Sequence, residues 1–236
     1  MPKRTDISKK TPSELIIETL KDKPMMKQVV YRNTVETFDD VQEMLKKTVD
    51  RLKQQTEKFD EPISINYRSK GEWEAEIKIA GDILIFHMHT NVFQFDKSHP
   101  MWKTSYVKKD NNRAFCGLIN VYNFLSDSFK YNRESDMGYL IARIFINKDK
   151  HFFVEGKRQL GFLYNDFPNA KITKKAIESI IESTILYTLD FDLLTPSYDA
   201  MKEVSVKEMQ ELTQNMKFRT GKRLGFKFQA DSDNIE

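Results

Sequence analysis

Trp73-Glu74-Ala75-Glu76-Ile77-Lys78-Ile79, then Gly81-Asp82, then Ile83-Leu84-Ile85-Phe86-His87-Met88-His89: this stretch decides the fold class. In its first half Trp73, Ala75, Ile77 and Ile79 alternate with Glu74, Glu76 and Lys78. A period of two puts successive side chains on opposite faces of a strand, so one face is dry and the other wet. One dry and one wet face is the mark of an antiparallel sheet. Gly81-Asp82 supplies a tight turn. The strand that follows runs from Ile83 to Phe95, with Ile85, His87 and His89 on one face and Phe86, Met88 and Thr90 on the other.

Working outward, Ile63, Ile65 and Tyr67 alternate in the same way before a turn at Ser69-Lys70-Gly71-Glu72. On the other side His99-Pro100 breaks the chain, and Trp102 to Val107 reads as a short strand ahead of the solvated loop Lys108–Arg113. Residues 115–131 fit both periods: Ile119, Val121 and Asn123 alternate, while Leu118, Tyr122, Leu125 and Phe129 fall at helical spacing. Strand to about residue 125 is the expectation. Tyr139–Ile146 is a strand, Asn147-Lys148-Asp149-Lys150 its hairpin turn and His151–Gly156 the return, which Gln159–Tyr164 extends past a glycine-rich bend.

Helical patterns flank this centre. Thr11-Pro12-Ser13-Glu14 starts a short helix with Leu15, Ile16 and Leu20 on its buried face. A second helix over 34–59 shows Val35, Phe38, Val41, Leu45, Val49, Leu52 and Phe59 on one side and Glu43, Lys46, Lys47, Asp50 and Lys53 on the other. Thr37 with Asp40 resembles a capping pair, and Pro62 bars continuation. Thr173 caps a third helix carrying Ile177, Ile180, Ile181, Thr184, Ile185 and Leu189. Thr195-Pro196 ends that unit. Ser205 with Glu208, and Val204 with Met209, then read as a capping box and staple for a short helix.

The expected fold is therefore α+β: an antiparallel β-meander of five to six strands covered by two longer helices, with short terminal helices and flexible basic ends. Residues 1–12 form a basic arm, 13–195 one α+β domain, and 196–236 a helix and basic-aromatic tail. A chain of 236 residues with 39% apolar residues and 17 Phe can bury a sizeable core. The net charge of +3 gives little reason to expect nucleic acid or membrane from the chain as a whole. One cysteine, Cys116, forms no internal disulfide, and no apolar run approaches the roughly 20 residues of a membrane span. A cytoplasmic location follows by exclusion.

Five groups of residues could carry function. His87 and His89 point the same way from one strand, a spacing that metal sites use. A third and fourth ligand, from His99, Asp96 or Asp127, would have to come close. Glu155-Gly156-Lys157 has the acidic-x-Lys pattern with which one class of nuclease holds Mg²⁺ and the attacking water, though Asp149 and Asp136 are poorly placed as the partner acid. Cys116 has no sequence cue for activation, and buried structural cysteine is the default. Asn120, Tyr122, Asn123, Asp127, Tyr131, Asn132 and Arg133 mix polar and aromatic groups as ligand pockets do, and as ordinary loops do. Finally, Lys217-Phe218-Arg219-Thr220-Gly221-Lys222-Arg223-Leu224-Gly225-Phe226-Lys227-Phe228 combines five cations and three Phe with no acid. Cations neutralise phosphates and rings stack on unpaired bases. The same Phe would equally anchor on a protein, and a solvated tail or a last strand fits too.

No catalytic signature, Gly-rich phosphate loop or cofactor motif is present. The first expectation is a non-enzymatic intracellular binding or assembly protein, its sheet a platform and its basic termini contacts for a protein or nucleic-acid partner. A small-ligand or metal-dependent enzyme with a pocket near His87 and His89, and a nuclease using Glu155 and Lys157, are the alternatives.

Overall fold

The computed structural model describes residues 10–134, 136–192, 197–207 and 209. The six strands β1 (Ile65–Ser69), β2 (Glu74–Ile79), β3 (Asp82–Gln94), β4 (Phe115–Leu125), β5 (Tyr139–Asn147) and β6 (Phe152–Gly156) form one sheet in chain order. Every neighbouring pair is antiparallel. The fold is the α+β meander that the alternation from Trp73 to His89 implies. Among the described residues no helix is long and apolar enough to cross a membrane.

The first helix differs from expectation. Two helices, one from Pro12 and one over 34–59, are a single 45-residue helix, α1 (Pro12–Thr56), which runs straight through Pro24. Proline lacks the N–H that would bond the carbonyl four residues back, here that of Leu20. Leu20 is exposed, so water can take that acceptor. The helix starts where the sequence places it: Thr11 Oγ1 accepts from Glu14 N, and the Glu14 carboxylate accepts from Thr11 N. Thr37 is not a cap but lies mid-helix, its hydroxyl donating to the Asn33 carbonyl at 2.7 Å. Met26, Val30, Thr34, Phe38, Val41, Leu45 and Val49 make the buried stripe. Ahead of it Leu15, Ile16 and Leu20, expected as a buried face, are solvent-exposed, as is Ile17.

The second long helix, α5 (Lys174–Leu189), begins at the expected cap, Thr173, whose Oγ1 accepts from Ala176 N. Both long helices lie on the sheet face formed by Ala75, Ile77, Leu84, Phe86, Met88, Ile119, Val121, Ile144 and Val154, and one continuous core results. Ion pairs tie α1 to α5: Arg51 with Glu178 (3.0 Å) and Glu182 (2.5 Å), and Lys174 with Glu43 (2.5 Å) and Asp40 (3.3 Å). Hydrogen bonds from Lys174 and Lys47 hold the Glu43 carboxyl down at about 2.

α1 lies close on the sheet at Gly117 of β4, where a Cβ would stand 1.9 Å from Thr34 Oγ1. Thr34 is itself held by a 2.8 Å bond to the Val30 carbonyl. Gly117→Ala is therefore expected to destabilise the protein by about 1–3 kcal/mol, the usual cost of overpacking a filled core. A urea midpoint equal to wild type would contradict this.

The other sheet face is only partly covered. Here too the prediction differs, since Trp102–Val107 is not a strand. Residues 100–114 fold as a 3₁₀ turn (Pro100–Lys103), helix α2 (Ser105–Lys109) and a second 3₁₀ turn (Asn111–Ala114). The reason is local capping: His99 Nδ1 accepts from Met101 N (3.3 Å) and Thr104 Oγ1 from Val107 N (3.4 Å), satisfying donors a strand would leave open. Met101, Val107 and Ala114 cover Cys116, Leu118, Phe145 and Phe153. Tyr106, Arg113, Asn147 and Asp149 pin this cover to the β5–β6 hairpin, with Tyr106 Oη and Arg113 Nε both donating to Asp149 Oδ2 at 2.9 Å. Burial pushes the Tyr106 phenol well above its ordinary range.

Past β6 the expected strand extension is a short helix, α4 (Gln159–Phe162), entered through Arg158 at φ 48°. The chain then returns along β6, where the Tyr164 and Ala170 carbonyls accept from Val154 N and Phe152 N, closing that sheet edge. β4 ends at Leu125 as expected, and α3 (Ser126–Lys130) follows. The expected short helix after Ser205 shows the turn bond from Met209 N to Ser205 O (2.9 Å), preceded by helix α6 (Tyr198–Met201), while Glu208 lies outside the described residues.

Candidate functional site

The uncovered part of the second face carries a line of hydrogen-bonding side chains. Register places Glu74 opposite His87, His87 opposite Asn120, Asn120 opposite Arg143, and Arg143 opposite Glu155. Cross-strand partners share a face. The row therefore crosses five strands, about 19 Å at about 4.8 Å per strand. The next row, His89, Leu118, Phe145 and Phe153, is apolar from its second member on.

Where the two rows meet the chain leaving β3, a cleft of ≈510 Å³ opens between Phe93, Phe95, His99, Leu118, Arg143 and Glu155. Its volume is within the roughly 300–1,000 Å³ of small-ligand sites. Phe95 and Phe145 line its base and Phe153 packs behind them, with ring centres 4.8–5.5 Å apart. Phe93 stands at the mouth, edge-on to His89 at 4.7 Å. Arg143 pairs with Glu155 above this base. His99 Nε2 lies 3.6 Å from the other Glu155 oxygen. Because His99 Nδ1 accepts from Met101 N, a neutral ring carries its proton on Nε2, toward the carboxylate. At the rim, bonds from the Ser98 hydroxyl and amide hold Asp96 below the usual carboxylate range.

His87 and His89 share this face, as the alternation requires. His89 Nδ1 accepts from Asn91 N at 3.0 Å, and His87 stands between Glu74 and Asn120. Among the described residues no three His, Cys, Asp or Glu side chains gather so as to hold a metal ion. His99 joins Glu155 rather than the pair. Glu155 lines the cleft, whereas Lys157 lines a second cleft between α4 and α5. Cys116 is fully buried, which pushes its thiol up.

The polar-aromatic cluster of the β4 region is divided. Asn120 and Tyr122 lie on the open face, and Asn123 is on the helix-covered one. Asp127 and Tyr131 belong to α3 and its end. Arg133 is buried with Asp136, Nε to Oδ2 3.5 Å, and Ser128 Oγ donates to the same oxygen at 2.7 Å. The stretch Lys217–Phe228 lies outside the described residues.

Phe93, Phe95 and Arg143 went unmarked in the sequence. A signal existed for the last, a lone charge in the apolar run Tyr139–Ile146. Comparison with known proteins finds no family model, no curated protein and no solved structure that matches the chain.

Proposed function

We propose that this chain is a non-enzymatic binding protein that carries its ligand on the open sheet face. The recognised group is an unpaired base of a nucleic-acid-containing partner, held in the cleft at Phe93, His99, Arg143 and Glu155. The observation that carries the reading is the Arg143–Glu155 pair over an aromatic base. A guanidinium beside a carboxylate has N–H donors left next to an acceptor, the complement of a base edge, while the exposed Phe93 ring offers a stacking surface. The cleft's polar groups are committed to one another rather than poised around a nucleophile, which favours holding over reacting. Lys217, Phe218, Arg219, Lys222, Arg223, Phe226, Lys227 and Phe228 add phosphate contacts and further stacking.

Fluorescence anisotropy with a short, labelled single-stranded RNA tests this. Phe93→Ala and Arg143→Ala should each weaken binding by about tenfold or more, in line with about 1–3 kcal/mol per stacked base. A chain ending at Asn215 should bind with a shallower salt dependence and keep the Phe93 effect. Absent binding, or binding indifferent to both cleft variants, would overturn the reading.

A further inference from the structure

On the helix-covered side, at the end of β4 and the start of β5, a small pocket of ≈50 Å³ is lined by Asn123, Tyr139, Ile141, Lys157, Tyr187 and Phe191. It shares Lys157 and Tyr187 with the larger cleft of ≈470 Å³ between α4 and α5, whose walls include Leu160, Leu186 and Leu189. The two spaces are thus neighbours, one narrow and one wide.

Among the described residues one buried polar atom here is unaccounted for, and beside it stands an exposed, unpaired cation. Asn123 is 2% exposed, and its Oδ1 finds no hydrogen-bond donor among the described residues. A buried acceptor left unmade costs about 1–3 kcal/mol, so such an atom in a native core calls for a partner. Lys157, at the junction of the two spaces, makes no ion pair among the described residues, whereas its neighbour Arg158 is paired with Asp190. The site therefore offers one acceptor at its inner end, one free cation at its waist and an apolar wall outside.

We propose that this is a second binding site, for a small apolar acid that bears a hydroxyl. The hydroxyl donates to Asn123 Oδ1, the hydrocarbon body passes beside Tyr187, and the acid meets Lys157 from the side of the wider cleft. A site with a buried acceptor discriminates strongly against the analogue lacking the donor, because the acceptor is then desolvated for nothing. The site is separate from the open-face cleft and does not depend on it.

Calorimetric titration of the full chain with 4-hydroxyphenylacetate and with phenylacetate tests the proposal. The hydroxylated acid should bind about tenfold tighter, the equivalent of one buried hydrogen bond. Asn123→Ala should erase that preference. Lys157→Met, at an exposed position, should weaken both acids alike and leave the melting temperature unchanged. Phe93→Ala should have no effect on either. Failure of both acids to bind at millimolar concentration would overturn the proposal, as would a hydroxyl preference that survives in Asn123→Ala. If Asn123→Ala does not fold, a wild-type preference for phenylacetate, or none, overturns it equally.

Discussion

Phe86→Ala is expected to cost about 3–5 kcal/mol of folding stability, the range for emptying an aromatic site in a core that collapses only partly. Phe86 is fully buried in the middle of β3, opposite Ala75 on β2 and Val121 on β4. Alanine already sits on one side, so no large neighbour on that strand can swing in to fill the hole. The loss should come as a lower urea midpoint with an unchanged slope, since the surface exposed on unfolding barely alters. The adjacent residue is the control. His87 points to the open face, and His87→Ala should stay within about 0.5 kcal/mol of wild type. A loss below about 1 kcal/mol for Phe86→Ala, or equal losses at both positions, would mean the faces are misassigned.

Asp136→Ala is expected to cost a similar amount, about 3–5 kcal/mol, for a different reason. The Arg133 and Asp136 side chains are 5% and 1% exposed, and Ser128 donates to the same carboxylate. Removing the acid leaves a guanidinium buried, with the Asp127 carboxylate 3.8 Å away and more than half exposed as its remaining ionic neighbour. Taking out both members should cost less than taking out one, because the uncompensated charge goes with them. Asp136→Ala/Arg133→Met should therefore be more stable than Asp136→Ala, with a coupling energy that urea denaturation of the four proteins measures. Equal or greater damage in the double variant would contradict the account. In this arrangement Arg133 organises the β4–β5 connection from within.

The sheet was legible because its signal is local. Trp73 to Ile79 alternates cleanly, the two-residue turn after it leaves little choice of pairing, and Asn147–Lys150 joins two obvious strands. Thr11, Glu14 and Thr173 marked helix starts through bonds that span three residues. At residues 21–33, Trp102–Val107 and Gln159–Tyr164 the local pattern permits more than one structure, and solvent access, capping or backbone conformation decides. Pro24 is tolerated because the carbonyl it orphans faces solvent. Residues 102–107 turn because His99 and Thr104 take the available N–H groups. Arg158 adopts a left-handed conformation that ends the strand a reader would extend. The cleft was illegible for a plainer reason: Phe93, His99, Arg143 and Glu155 come from separate parts of the chain, and only the register brings them together. The acidic-x-Lys pattern of Glu155 and Lys157 looked like a unit because its members are two residues apart. At the end of a strand that spacing no longer guarantees a common face, and the two side chains line different clefts.

α1 and α5 seal one face of the sheet, while the other, covered in part by residues 100–114, keeps the strip at Arg143 and Glu155 open. Cysteine substitution at neighbouring positions tests this claim most directly, with native Cys116 buried and unreactive as the internal control. Arg143→Cys and Glu155→Cys should react with a maleimide about as fast as a free thiol. Ile144→Cys and Val154→Cys should react slower by about 10³ or more, because exposing them requires global unfolding. Similar rates within each neighbouring pair, or fast labelling at 144 and 154, would contradict the claim.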